Sequence, residues 1–155
     1  MSLDNGLDAI EPWLSGVLAK LSPGERIKIT RKIGQLLRRR NAERIRANVQ
    51  PDGTPMEPRK PRRDKRGRVR GRKGKMFPKV GLVRNMRVTV RPDEVKVNFS
   101  PLAAGAAKVH HWGLVDRVEK AGDAPSVRYP ARHLLGINPD DRDEIMTEVI
   151  KWLEG

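Results

Sequence analysis

The sequence predicts an α+β fold: two N-terminal helices, a small antiparallel sheet with a β-hairpin, a C-terminal helix and a long basic flexible arm. Three observations predict it. Apolar residues recur at three- and four-residue spacing through the first 45 positions, the period drops to two between residues 86 and 99, and helix-start signatures stand at Ser22 and Asn138. At 155 residues the chain fits one domain over 1–155 with a single core, and residues 50–75 form the arm inserted between the second helix and the sheet.

The first helix is expected over about residues 3–21, where Leu7, Ile10, Leu14, Val17, Leu18 and Leu21 share a face. Ser22-Pro23-Gly24-Glu25 then opens the second. Ser accepts from exposed backbone N–H groups, Pro suits the first helical position, and Glu at the third reaches back. Ile29, Ile33, Leu37 and Ile45 form an apolar ridge with Leu36 beside it, while Arg26, Lys28, Arg31, Lys32, Arg38, Arg39, Arg40, Arg44 and Arg46 crowd the remaining surface. One face packs and the other is a cationic ridge. Gln50-Pro51-Asp52-Gly53-Thr54-Pro55 ends the helix, because Pro and Gly both oppose its continuation.

Beyond the arm, Val88 and Val90, then Val95, Val97 and Phe99, alternate with polar neighbours around Pro92-Asp93, which predicts a hairpin over 86–99. Leu102 to Trp112 reads as a short helix ended by Gly113, and Ser126 to Tyr129 as a short strand. Asn138-Pro139-Asp140-Asp141 starts the last helix, whose apolar stripe is Ile145, Val149 and Leu153.

Charge is distributed unevenly. Residues 23–75 hold 20 of the 33 Lys and Arg but 5 of the 19 acids, a local net of +15, so the rest of the chain sums to −1. Such a field concentrates anionic partners and opposes self-association unless something neutralises it. From Glu57 to Lys75 there are 11 basic residues and one aliphatic side chain, Val69. This segment cannot bury enough apolar area to offset its ordering entropy, so it is expected to be mobile until bound, with an extended reach of about 60 Å. Arg38, Arg39, Arg40, Arg59, Lys60, Arg62, Arg63, Lys65, Arg66, Arg68, Arg70, Arg72 and Lys73 are the candidate partner or DNA contacts. Phosphate neutralisation, a tether that folds onto an acidic neighbour, and a solvated loop all fit the composition. No aromatic residue in the segment offers a base a stacking surface.

Catalytic and cofactor chemistry has little support. Cysteine is absent, which excludes disulfides and thiolate metal sites and suits an intracellular protein. His110 and His111 are adjacent and point apart, and His133 has no acidic ligand at recognised spacing. Gly71-Arg72-Lys73-Gly74-Lys75-Met76 fails as a phosphate loop, with Val69 where the leading Gly belongs and Met76 where Ser or Thr would hold magnesium. No serine lies in a nucleophile elbow. The N-terminus is acidic without an apolar run behind basic residues, so no signal peptide or membrane span is expected. The reading is a soluble cytoplasmic protein, not an enzyme, with no cofactor.

The C-terminal half carries a likeness. Val109-His110-His111-Trp112-Gly113-Leu114, then Val127-Arg128-Tyr129-Pro130-Ala131-Arg132-His133-Leu134-Leu135-Gly136, then Asn138-Pro139-Asp140-Asp141 resembles the tail-completion, or virion morphogenesis, family of tailed bacteriophages, especially those with contractile tails. Upstream, Pro51-Asp52-Gly53-Thr54-Pro55-Met56-Glu57-Pro58-Arg59-Lys60 is similar to that family's proline- and glycine-bearing segment before a basic loop, and Met76-Phe77 to the start of its middle region. Pro78 and Gly81 weaken the helix that the resemblance implies after Met76, and Trp112 stands where a smaller aromatic or polar residue is more usual.

The resemblance implies a structural neck protein that caps the finished tail and enables head–tail joining. The six-fold tail tube implies a homo-hexameric ring, and a closed ring repeats one heterologous interface. Its partners would be the tail tube or terminator, the head–tail connector and genomic DNA in the lumen, with no membrane. It would reside in the host cytoplasm during assembly and then in the virion. The arm is assigned to subunit or partner contact, since a strongly attractive lumen would retard DNA. His110, His111 and Trp112 are either core or interface anchors; Tyr129 and Arg132 are either a buried structural anchor or an interface. The alternative function is sequence-independent nucleic-acid binding.

Overall fold

The computed structural model describes residues 11–63, 65–70, 76–92, 94–118 and 122–155. Helix α1 (Glu11–Ala19) precedes α2 (Pro23–Arg46). The part of the first helix expected before residue 11 lies outside the described residues. At Ser22 both halves of the capping box form: Glu25 N–H donates to Ser22 Oγ at 3.3 Å, and Ser22 N–H to Glu25 Oε2 at 3.0 Å. The expected ridge of α2 is the centre of the core, with Ile29, Ile33, Leu36, Leu37, Ala42 and Ile45 all buried.

A hairpin covers that ridge. Strands β3 (Met86–Arg91) and β4 (Glu94–Phe99) pair antiparallel with Met86 opposite Phe99, Val88 opposite Val97 and Val90 opposite Val95. Period-two alternation puts these six on one face, against α2. Before the hairpin, residues 76–85 form turns and one 3₁₀ turn at Val83–Asn85, not the α-helix that the family likeness implied after Met76. Pro78 and Gly81 account for the difference, and Gly81 packs where a Cβ would meet Ile45 Cγ2 at 3.1 Å.

Helix α3 (Pro101–Trp112) follows the hairpin and stops at Gly113, which adopts the left-handed conformation at φ 65°. The reversal that follows carries β5 (Val115–Arg117) and β6 (Ser126–Arg128), paired antiparallel. Helix α4 (Pro139–Glu154) starts on a second capping box, between Asn138 and Asp141, and lies across α2. Ile145 and Val149 are buried as expected, but Leu153 is 46% exposed and Trp152 turns inward instead. Seven residues bring a helix almost back to its starting angle, whereas eight overshoot by most of a quarter turn, so 145, 149 and 152 share the buried face.

The arm is expected over 50–75. Residues 50–58 are tied in: Gln50 N–H donates to Thr54 O, Met56 N–H donates to Asn48 O at 2.8 Å, and Met56 is buried. Further on, β1 (Arg62–Arg63) and β2 (Val69–Arg70) form a two-residue antiparallel ladder. Val69 is 59% exposed, so this ladder has no apolar anchor.

Candidate interaction surface

The cationic ridge of α2 is partly consumed inside the molecule. Asp141, on the first turn of α4, is fully buried and accepts from Arg40 Nε at 3.0 Å and from Arg44 Nη1 at 2.9 and 2.8 Å. Arg44 also reaches Asn41 Oδ1 and Gly136 O, both at 3.0 Å. The hydrogen bond to Asp141 raises the Arg40 pKa and holds that guanidinium charged. Arg40, expected as a partner or DNA contact, thus also clamps α2 to α4. Arg39 pairs with Glu144 at 3.2 Å on the surface, where such a pair contributes little, and Arg38 donates to Gln35 Oε1.

A second cluster sits where the arm leaves the body. Arg132 is 3% exposed; its Nε donates to Glu57 O at 2.6 Å, Nη2 to Pro58 O at 3.2 Å and Nη1 to His110 Nδ1 at 3.2 Å. It nails the base of the arm to α3. The approach depends on Gly113, because a Cβ there would lie 2.9 Å from Ala131 N. The ring of His110 stands edge-on between Phe77 and Tyr129, at centroid distances of 4.9 and 4.7 Å. His111 is buried and turns the other way, toward Trp112 and His133, and its Nδ1 accepts from Leu134 N–H at 3.2 Å. Trp112 itself is 54% exposed.

Both histidines are held neutral. Burial first, then Arg132 for His110 and His133 for His111, lowers each pKa to about 4. Because Arg132 and Leu134 N–H are donors, each ring must keep an Nδ1 lone pair, which protonation would remove. Depressed folded-state values mean that the unfolded chain takes up protons first as pH falls. Stability should be full above about pH 6.5 and decline progressively toward pH 4. Urea midpoints measured across that range should fall with pH, and His111→Gln should flatten the profile.

Phe77, His110 and Tyr129 line a cleft of about 370 Å³, walled by Val118 and Val127 and rimmed by Lys60 and Arg128. Arg59 also lines it, and Arg128 donates to Gly113 O at 3.3 Å. Of the other arm candidates, Arg63, Lys65, Arg66 and Arg68 have exposed side chains, Arg62 and Arg70 lie in the short ladder, and Arg72 and Lys73 fall outside the described residues. The structure thus brings Arg59, Lys60, His110, Tyr129 and Arg132 together, and leaves Arg38 and Arg39 on the far helix. Sequence reasoning missed Asp141 as an ion-pair centre, and Phe77, Val118 and Val127 as cleft walls. Among the described residues no three His, Asp or Glu side chains converge as metal ligands would, and no helix is long and apolar enough to cross a membrane.

Residues 6–154 match the model of the phage virion morphogenesis family. The chain belongs to that family. This family member is also similar to tail completion protein S of Escherichia phage P2, with 33% identity over 153 residues that cover 97% of this chain and 99% of that protein. No solved structure matches it. The family match takes in both the α2–α4 clamp and the cleft at the base of the arm.

Proposed function

We propose that this virion morphogenesis protein is a structural neck component that caps the finished phage tail, as a homo-hexameric ring, and enables the tail to join the head. The observation that carries the reading is the similarity to a tail completion protein, which extends over 97% of this chain and 99% of that protein. The charge pattern supports an assembly role. Neutralising α2 partly within the fold leaves the exposed cations of the arm and the cleft rim to meet acidic neighbours in the tail tube, terminator or connector. Assembly takes place in the host cytoplasm, after which the protein stays in the tail or neck of the virion.

Disrupting the gene in the phage should give filled heads and tails of normal length that remain unjoined, and a plasmid copy should restore joining. Normal virions without the protein would overturn the reading. Exposed Arg63 and Lys65 favour a second reading, sequence-independent nucleic-acid binding. That reading requires DNA affinity to fall by about 0.9 log units per log unit of salt for each phosphate contacted, and measuring the slope separates the two.

A further inference from the structure

We propose that the outer face of α4 on one copy docks into the basic-rimmed cleft of a second copy. The proposal rests on the ring reading and names the contact that would build it. A closed ring repeats one heterologous interface, so a single chain must present two different, complementary patches. The structure offers two of the right kind.

The first patch is on α4. Met146, Ile150 and Leu153 are 37%, 43% and 46% exposed and, at spacings of four and three, form one stripe about a quarter turn round the helix from the buried line of Ile145 and Val149. Asp143 and Glu154 flank that stripe on one side; of the six acids of the helix, Asp141 and Glu144 are already paired with arginines of α2, and Asp143 and Glu154 are the ones beside the stripe. The second patch is the cleft, apolar at Phe77, Val118 and Val127, with Lys60 and Arg128 at its mouth. No residue of α4 lines the cleft, so one molecule cannot satisfy both patches by folding onto itself.

Electrostatics selects the pairing. A chain of net charge +14 repels its own copies, and association needs a contact that sets local negative charge against local positive charge. An acidic helix entering a basic-rimmed groove does this, and the stripe on α4 has the spacing by which an amphipathic helix fills an apolar groove.

The chain has no cysteine, which makes the test clean. Val127→Cys and Ile150→Cys fall on exposed side chains, outside the core. Oxidised in assembled tails, a chain carrying both should give a ladder of covalent species extending beyond dimer, while either single-cysteine chain should give no species beyond dimer. Ile150→Asp should weaken self-association of the purified protein by about tenfold or more in sedimentation. Tails that hold several copies of the doubly substituted chain but yield no ladder would overturn the α4–cleft contact and leave the ring standing. Counting one copy per tail by quantitative mass spectrometry would overturn ring and contact together.

Discussion

Asp141→Ala should lower the unfolding free energy by about 3–5 kcal/mol, the range expected when one partner is removed from a buried ion pair. The carboxylate is fully buried and receives Arg40, both bonds from Arg44 Nη1 and the Asn138 N–H, so truncation removes acceptors from two guanidinium groups and a helix cap. Arg44 is the partner at greatest risk, because its side chain is only 12% exposed. Left without its anion, it stays partly desolvated with only Asn41 Oδ1 and Gly136 O as acceptors. Arg40→Ala should cost less, since the Arg40 side chain is 32% exposed and Arg44 would still neutralise the carboxylate. Asp141→Asn should fall between them by keeping one acceptor oxygen. Urea midpoints at constant slope measure this order, with Glu148→Ala as a surface control. An Asp141→Ala variant as stable as that control would remove the clamp from the account of the fold.

The signals that were legible in the sequence are local ones. Ser22 forms the capping box that Glu25 announced, Asn138 starts α4 as its cap signal predicted, and Gly113 ends α3 in the left-handed conformation. The hairpin over residues 86–99 was equally visible, because alternation and a turn lie within a dozen residues of each other. The features that escaped depend on distant partners. Asp141 looks like an ordinary helix-start acid whether or not two arginines some hundred positions earlier converge on it. Strand β5 gave no alternating pattern because Val115, Asp116 and Arg117 are all exposed, and only its pairing with Ser126–Arg128 defines it.

The candidate site was harder still to read. Its cleft joins the base of the arm, Met76 and Phe77, α3, Val118 and the segment from Val127 to Arg132. No spacing rule connects those pieces. Arg132 could be named as an anchor from its place after Tyr129 and Pro130, but which carbonyls it would hold depended on the path of Glu57 and Pro58. Composition also does not tell which cations are paired within the fold. Arg40 counts toward the ridge in composition, yet in the fold it belongs to the contact between α2 and α4.

Gly34→Ala tests how closely α2 lies on the hairpin, and it sets two opposing effects against each other. Alanine is the better helix former by about 1 kcal/mol, which alone predicts stabilisation. At Gly34, however, a Cβ would fall well inside contact distance of Val88 Cγ1 and 2.7 Å from Val95 Cγ2. Both valines are β-branched, with few side-chain conformations, and both sit on paired strands, so neither can withdraw without shifting the hairpin. Overpacking of this kind costs about 1–3 kcal/mol, and here it should exceed the gain in propensity. Gly105 in α3 supplies the contrast: nothing lies within 4 Å of a Cβ there, and Gly105→Ala should stabilise by up to about 1 kcal/mol. Gly34→Ala should therefore lower the urea midpoint while Gly105→Ala raises it, and Val88→Ala should be less harmful in the Gly34→Ala background than alone. Stabilisation at both glycines would mean that α2 and the hairpin are not in direct contact at this crossing, and the coupling between residues 34 and 88 decides it independently of helix propensity.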